Sequence, residues 1–340
     1  MKLHVVVLAA GQGTRMKSAL PKVLQPLGGR SLLAHVLECA WKLQPAAVHV
    51  VYGHGGDKVR AAFADAAVNW VEQREQKGTG HAVEQAMPHI PDDAVVLVMY
   101  GDVPLMGAVT LRELTEGGLD RLCLLTVSLN DPFGYGRIVR STTGDVQAIV
   151  EQKDADSDQL AITEVNTGFM AAPAAKLRAW LASLDSKNAQ GELYLTDCVG
   201  KATQEGEAVS AIVSDDAEQI LGVNDRAQLA ALERIHQRRQ ASRLLSQGLH
   251  MMDPSRFDLR GELTHGKDCS IDVGCILSGK VVLGDDVVIG PHCVLDNVEI
   301  ASGTRIEAFS HLSDAKVGAL ANVGPYARLR PGTDCLLYTS

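Results

Sequence analysis

The sequence predicts an α/β domain with a mostly parallel sheet, then a connecting helix, then a β-helix. Three observations carry this. Short apolar runs alternate with helical patterns over residues 1–225; residues 226–247 contain neither Gly nor Pro; and from about residue 261 aliphatic side chains recur every six positions. Alternation of the first kind builds a sheet covered on both faces by helices. A period of six fits neither the 3.6-residue helix nor simple two-residue alternation, and matches hexapeptide β-helix repeats.

The runs VVVLAA (5–10), VHVVYG (48–53), AVVLVMYGD (94–102) and LCLLTVSL (122–129) read as buried strands. Such unbroken apolar runs suit strands shielded on both sides. Ser31 reads as the N-cap of SLLAHVLECAWKL, with Leu32, Leu33, Val36, Leu37, Ala40 and Trp41 on one face. Residues 226–247 are rich in helix formers, with Gly248 as the stop. Its Arg234, Arg238, Arg239 and Arg243 read as a solvated face. Beyond it, Ile276, Val282, Val288, Val294, Ile300, Ile306 and Leu312 keep the six-residue beat. A second set, Leu277, Leu283, Ile289 and Leu295, follows one residue behind, and after a one-residue slip Val317, Val323 and Leu329 continue. The aliphatic positions are expected to stack inside, with Gly, Asp, Asn and Ser at the corners. The expected domains are therefore 1–225, the linker 226–247, and an incomplete β-helix over 248–340.

Composition narrows the function. The 340 residues exceed one comfortable core, and 46% are hydrophobic against 21% charged. A net charge of −9 argues against nucleic acid as a partner, and 4% aromatics leave little for a base-stacking platform. No run of about 18 apolar residues is present, so no membrane insertion is expected. The opening MKLHVVVLAA runs straight into GQGTRMK, which reads as a first strand rather than a leader, and a cytoplasmic protein is expected. None of the seven cysteines forms a CxxC pair, and Cys269, Cys275, Cys293 and Cys335 are separated by multiples of six. They read as reduced residues at a repeat position rather than zinc ligands.

The segment LAAGQGTRMKSALPKVL (8–24) puts Gly11 and Gly13 directly after a strand, where backbone amides can approach an anion. Met16 occupies the third glycine of a dinucleotide GxGxxG and also the second glycine of a P-loop, so both patterns fail. A glycine-turn phosphate cradle of another type remains, supplemented by the cations Arg15 and Lys22. The alternative is a tight strand-to-helix turn with surface cations.

The same segment resembles the GxGTRM…PKxL signature of sugar-phosphate nucleotidyltransferases. EQREQKGTGHA (72–82), YGDVPL (100–105), DPFGYGRIVR (131–140), IVEQKD (149–154), EVNTGFM (164–170), GELYLTD (191–197) and GVNDR (222–226) extend the match in order. With the hexapeptide repeats they resemble the bacterial family of bifunctional N-acetylglucosamine-1-phosphate uridyltransferase / glucosamine-1-phosphate N-acetyltransferases. The resemblance implies a Rossmann-like nucleotidyltransferase domain and a partial left-handed β-helix. It implies that UTP and N-acetylglucosamine 1-phosphate give UDP-N-acetylglucosamine and pyrophosphate with Mg²⁺, for peptidoglycan and lipopolysaccharide precursors. By resemblance, Leu8, Ala9, Ala10 and Gly11 hold the uridine end, and Gln73, Gly78 and Thr79 read the uracil. Arg15 and Lys22 neutralise phosphates. Asp102, within Tyr100-Gly101-Asp102, and Asn224 hold Mg²⁺ as hard oxygen ligands. Gly136, Glu151 and Asn166 meet the sugar.

The family's β-helix transfers acetyl from acetyl-CoA, with three subunits completing each acetyl site. Residues 261–335 hold about four coils of three hexapeptides each. Arg330 in ARLRPG stands where a sugar-phosphate arginine is expected, and CLLYTS lacks a glycine-rich continuation. The expectation is a chain cut within its acetyltransferase domain: active in uridyl transfer, inactive toward acetyl-CoA, and forming a weakened homotrimer. The competing expectations are a dTTP- or ATP-specific sugar-1-phosphate nucleotidyltransferase and a non-catalytic scaffold relative. Retention of Lys22, Asp102 and Asn224 weighs against the scaffold, and Met16 against an NAD-dependent oxidoreductase.

Overall fold

The computed structural model describes residues 1–335 apart from Gln12 and His54. Residues 336–340, most of the CLLYTS tail, lie outside the described residues. The chain forms two compact units, one of residues 1–25 with 32–226, the other of 26–31 with 227 onward.

In chain order the strands of the first half are β1 (Leu3–Ala9), β2 (Pro26–Leu27), β3 (Arg30–Ser31), β4 (Ala47–Tyr52), β5 (Asn69–Glu72), β6 (Val95–Tyr100), β7 (Leu122–Ser128), β8 (Arg137–Arg140), β9 (Val146–Val150), β10 (Glu164–Pro173) and β11 (Val209–Ser214). The helices are α1 (Leu32–Trp41), α2 (Gly56–Ala62), α3 (Thr79–Ala86), α4 (Ala108–Gly117), α5 (Ser157–Leu160), α6 (Ala174–Ala182), α7 (Asp197–Gln204) and α8 (Arg226–Ser246). All four predicted apolar runs are strands.

The first unit is built on a nine-stranded sheet in the order β11-β7-β10-β6-β1-β4-β5, with the hairpin β8–β9 joined through β10. Strands β6, β1, β4 and β5 run parallel, and β10 lies antiparallel between β6 and β7. Alternate residues enter separate cores. Val6 and Leu8 pack with Val83, Leu177 and Trp180 on one face; Val5 and Val7 pack with Leu33, Leu37 and Leu111 on the other. This two-sided burial is why the strands read as continuous apolar runs.

Helix α1 buries Leu32, Leu33, Val36, Leu37 and Ala40, but Trp41 is 41% exposed and Cys39 is buried instead. The indole stands at the last residue of the helix, and the smaller thiol fits inward and donates to Met106 O at 3.1 Å. Away from the carboxyl ends of the sheet, His4 and His49 stack with centroids 5.4 Å apart, and His49 and His89 with centroids 6.3 Å apart. His4 Nδ1 and His49 Nε2 share one hydrogen bond of 3.1 Å. His49 is fully buried and its Nδ1 finds no partner. Burial first, then the neighbouring His4 and His89, push its pKa down to about 4.

The second unit begins with an unexpected piece. The β2–β3 hairpin, which lies within the expected 1–225 domain, packs with residues after 226. Gly28 N donates to Glu233 Oε2 at 2.8 Å. A Cβ on Gly28 would stand 2.3 Å from His236 Nε2, so only glycine fits the hairpin tip. Helix α8 ends as the sequence predicts, with Gly248 at φ 98° and Leu249 N donating to Leu244 O at 3.1 Å.

After α8 the chain coils in parallel. The short strands β12 (His250–Met251), β14 (Ser270–Ile271), β16 (Val288–Ile289), β18 (Arg305–Ile306) and β20 (Asn322–Val323) form one ladder. The longer β13 (Phe257–His265), β15 (Cys275–Leu283), β17 (Val294–Ile300) and β19 (His311–Val317) form another, closed by β21 (Arg328–Leu329) and β22 (Asp334–Cys335). This is a parallel β-helix, as the six-residue period predicts. The inward residues differ from the expected set. Ile276, Val282, Val288 and Val294 are only half-buried, whereas Leu277, Leu283, Ile289 and Leu295 are 2% exposed or less. Register explains the change: Phe257 pairs Cys275, 18 residues on, but Val282 pairs Glu299, 17 on. One residue is dropped at the Asn297 corner, so the inward column passes from Leu295 to Ile300, Ile306 and Leu312 while the spacing of six in the other set runs on unbroken. All seven cysteines are free, and Cys269, Cys275 and Cys293 are buried in the coil interior.

Candidate active site

Parallel pairing sets the carboxyl ends of β1 and β6 side by side, with Leu8 opposite Tyr100. Gly101 N donates to Leu8 O at 2.9 Å, and a Cβ there would press on that oxygen at 3.2 Å. Beyond these ends, where ligands of open α/β sheets bind, lies a cavity of about 230 Å³. Leu8, Ala9, Ala10, Gly11, Lys22, Gln73, Gly78, Thr79, Tyr100 and Asp102 line it, all of them predicted from the sequence. Val23, Gln76, Ala82 and Glu192 also line it and were not predicted. A wider depression of about 540 Å³ on the β-helix holds none of the predicted residues.

At one end of the cavity, Gln73 Nε2 donates to Gly78 O at 3.1 Å and to His81 Nδ1 at 3.1 Å. Gly78 leads into α3 with φ 109°, and a Cβ there would lie 2.6 Å from Leu193 O. The Gly-Thr-Gly of this turn is thus dictated by a backbone crossing, since Gly80 N also donates to Leu193 O at 2.8 Å. Gln76 Nε2 donates to Ala10 O at 2.8 Å, tying this loop to the one after β1. Gln76 lies within the EQREQKGTGHA segment but among other charged and polar residues, which give no sign that it reaches the turn after β1.

At the other end, Lys22 Nζ donates to Asp102 Oδ2 and, at 3.3 Å, to Asn224 Oδ1. Lys22 and Asp102 are mostly buried, with side chains 13% and 17% exposed. Val223 N donates to Asp102 O at 3.1 Å, which brings the GVNDR segment against the end of β6. Arg226 Nη1 donates at 2.8 Å to Gln25 Oε1, and Gln25 Nε2 in turn donates to Leu20 O at 3.0 Å. The loop bearing Lys22 and the segment bearing Asn224 are braced together. Two oxygens, one carboxylate and one amide, therefore converge on a single cation position filled by an ammonium. That donor set suits a hard divalent ion completed by water and phosphate oxygens. Among the described residues no group of three or more His, Cys, Asp or Glu could hold a metal unaided. Arg15 is exposed on the turn Thr14–Met16 and does not line the cavity; the buried residue of that turn is Met16, 1% exposed.

Gly136, Glu151 and Asn166 form a second cluster. Asn166 N donates to Gly136 O at 2.8 Å, and a Cβ on Gly136 would sit 3.5 Å from Glu151 Oε1. Thr196 Oγ1, not predicted, donates to Glu151 Oε1 at 3.0 Å. Burial pushes the Glu151 carboxyl up, the Thr196 bond opposes it, and Asp197 and Asp154 add to the rise. The Tyr100 phenol is pushed far up, first by burial and then by Glu151 and Asp102. Asn166 opens a bulge in β10, where Gly168 sits at φ 88° and donates its N–H to Asn166 Oδ1 at 3.1 Å. A Cβ on Gly168 would stand 2.5 Å from the Tyr100 ring. Gly168→Ala is therefore expected to cost roughly 2–4 kcal/mol from left-handed strain plus overpacking. Urea unfolding checks the loss, and titration with a nucleotide sugar should show weakened binding as the Tyr100 ring is displaced. Arg330 lies in the second unit, exposed, with its carbonyl accepting from Thr333 N at 3.0 Å.

The MobA-like NTP transferase domain family matches residues 5–251. The bifunctional protein GlmU of Chromobacterium violaceum is 55% identical over 332 residues, covering 98% of this chain and 73% of that protein. The bifunctional protein GlmU of Alkalilimnicola ehrlichii is 55% identical, covering 98% and 72%. That of Aromatoleum aromaticum is 54% identical, covering 97% and 73%. The chain thus spans about three quarters of the length of these relatives.

Proposed function

The chain belongs to the family of bifunctional GlmU proteins and is a nucleotidyltransferase of the UDP-N-acetylglucosamine pyrophosphorylase kind, and from that premise we propose how its residues divide the work. The observation that carries the proposal is the convergence of Lys22, Asp102 and Asn224 at the end of β6, beside the Leu8–Gly11 turn. Gln73 has both amide protons committed, which leaves its Oε1 as the acceptor for the imide N–H of uracil. Asp102 and Asn224 would hold Mg²⁺, which supplies charge neutralisation at the phosphates when bound. Lys22 presents a point charge to the phosphates at the same place, and Arg15 would add a second cation from its exposed turn. The backbone of Leu8, Ala9, Ala10 and Gly11, closed by the Gln76 bond to Ala10 O, fixes the nucleoside so that its α-phosphorus faces the sugar phosphate.

Gly136, Glu151 and Asn166 would hold N-acetylglucosamine 1-phosphate from the other side. A phosphate oxygen of the sugar then attacks the α-phosphorus in line, the bond to the β-phosphate oxygen breaks, and pyrophosphate leaves. Positioning and charge neutralisation supply most of the rate in such transfers. Cytoplasmic residence and a homotrimer belong to the same proposal. Among the described residues no helix is long and apolar enough to cross a membrane.

The test is pyrophosphate release from a panel of nucleotides and sugar phosphates. UTP with N-acetylglucosamine 1-phosphate should exceed ATP or glucose 1-phosphate pairs by about 100-fold in kcat/KM, since one buried polar group left unpaired costs about 1–3 kcal/mol. Equal turnover across the panel would remove the assignment of Gln73 and of the sugar cluster. Light scattering on the purified chain checks the trimer.

A further inference from the structure

We propose that Gln152, with the buried Arg137, is a positioning residue that latches the 131–136 loop so that Gly136 meets the sugar beside Glu151. This deepens the reading of Gly136, Glu151 and Asn166 as the sugar end and rests on it. The ligand class is the hydroxyl-bearing ring of a hexose 1-phosphate.

Arg137 is only 2% exposed, among the largest fully buried side chains of the protein. Its Nη1 donates to Tyr135 O and its Nη2 to Gln152 Oε1 at 2.8 Å, while Nε finds no partner. Both acceptors are neutral. A buried guanidinium without a carboxylate is costly to keep, and here its bonds are spent on one loop. Gln152 Oε1 accepts a second bond, from Gly134 N at 3.0 Å. One side-chain oxygen therefore holds both the tip of the loop and the guanidinium beneath it.

Tyr135 packs against the hydrophobic core at the end of the loop, but the tip at 133–134 has few other ties. Phe133 is 76% exposed, and open space surrounds the Cβ position of Gly134. Asp131 Oδ1 accepts from Phe133 N at 3.1 Å, and Tyr135 N donates to Pro132 O at 3.2 Å, both inside the loop itself. Gly136, its last residue, packs against Glu151 and pairs with Asn166. Glu151 and Gln152 are adjacent, and one bonds Thr196 while the other bonds the loop. The IVEQ motif thus serves the sugar twice, by a contact and by holding the opposing wall.

The test compares Gln152→Ala, Gln152→Glu and Glu151→Ala in steady-state assays and in hydrogen exchange of residues 131–136. Gln152→Ala should raise KM for N-acetylglucosamine 1-phosphate about tenfold, with KM for UTP within about twofold. Exchange in 131–136 should quicken, and the melting temperature should fall in Gln152→Ala, since the buried guanidinium loses one of its two bonds, and recover in Gln152→Glu. Gln152→Glu keeps the acceptor and gives Arg137 a counter-charge, so it should restore the wild-type KM. Unchanged sugar KM in Gln152→Ala, a parallel rise in both KM values, or unchanged loop exchange overturns the latch. If Glu151→Ala raises the sugar KM and Gln152→Ala does not, the latch alone fails. If Glu151→Ala also leaves it unchanged, the sugar-end reading fails, and the latch with it.

Discussion

Asp102→Asn is expected to lower kcat by about 10³-fold while leaving the fold intact, the scale of removing one preorganised charge from a site of developing anion. The carboxylate meets the Lys22 ammonium, with Asn224 Oδ1 3.3 Å from the same nitrogen, in a pocket where both charged side chains are mostly buried. An amide of equal size keeps the packing and removes the charge that would hold the divalent ion. The backbone tie from Val223 N to Asp102 O at 3.1 Å does not depend on the side chain, so Asn224 stays in place. Two measurements check this: single-turnover UMP transfer at saturating substrates, and Mn²⁺ binding by electron paramagnetic resonance in the presence of UTP. A variant that keeps one tenth or more of kcat, or that binds Mn²⁺ as the wild type does, would take Asp102 out of the metal assignment.

Acidification should unfold this protein earlier than its carboxylates alone require. His49 is fully buried beside His4 and His89, and its pKa falls from 6.5 to about 4. The charges that face the cluster are few: Lys2 lowers and Asp93 raises His4, whose pKa is lowered chiefly by burial. A group whose native pKa lies below its unfolded value is fully compatible with the fold above pH 6.5. Between pH 6.5 and 4 the unfolded chain takes up a proton that the native state refuses, so stability falls as pH falls. The loss from His49 alone is about 2 kcal/mol at pH 5, growing to about 3 near pH 4, at 1.36 kcal/mol per unit. Urea unfolding at pH 7.5 and pH 5 should show it, and His49→Leu should reduce the difference between the two. An equal pH dependence in both proteins would rule the cluster out as its source.

Much of the candidate site at the strand ends was legible in the sequence. Ten of the residues lining its cavity sit in short motifs whose glycines and cations announce close backbone approach to an anion. Gln76 and Glu192, in polar stretches, and Thr196, after the apolar Leu193-Tyr194-Leu195, were not legible, because each acts only through what folds against it. Trp41 misled for the opposite reason: its spacing is inward, but it ends its helix exposed. In the β-helix an unbroken run of six-residue spacings concealed a dropped residue at Asn297. Both the outward and inward positions there are aliphatic, so the count continued while the inward column changed partners.

Neighbours along the chain suffice for the strands buried on both faces, the helix that Gly248 stops, the repeat of six and the spacing of the glycine-rich motifs. The fold is needed wherever distant segments meet. Lys22 reaches Asp102 and Asn224 across 80 and 202 residues. The β2–β3 hairpin packs with residues that follow it by about 200 positions, and three histidines from separate elements stack in one buried pile. Local patterns record which face of an element is wet or dry. They do not record which other element covers that face, and the meeting of Lys22 with Asp102 and Asn224, the Gly136–Glu151–Asn166 cluster and the histidine pile are all made by that covering.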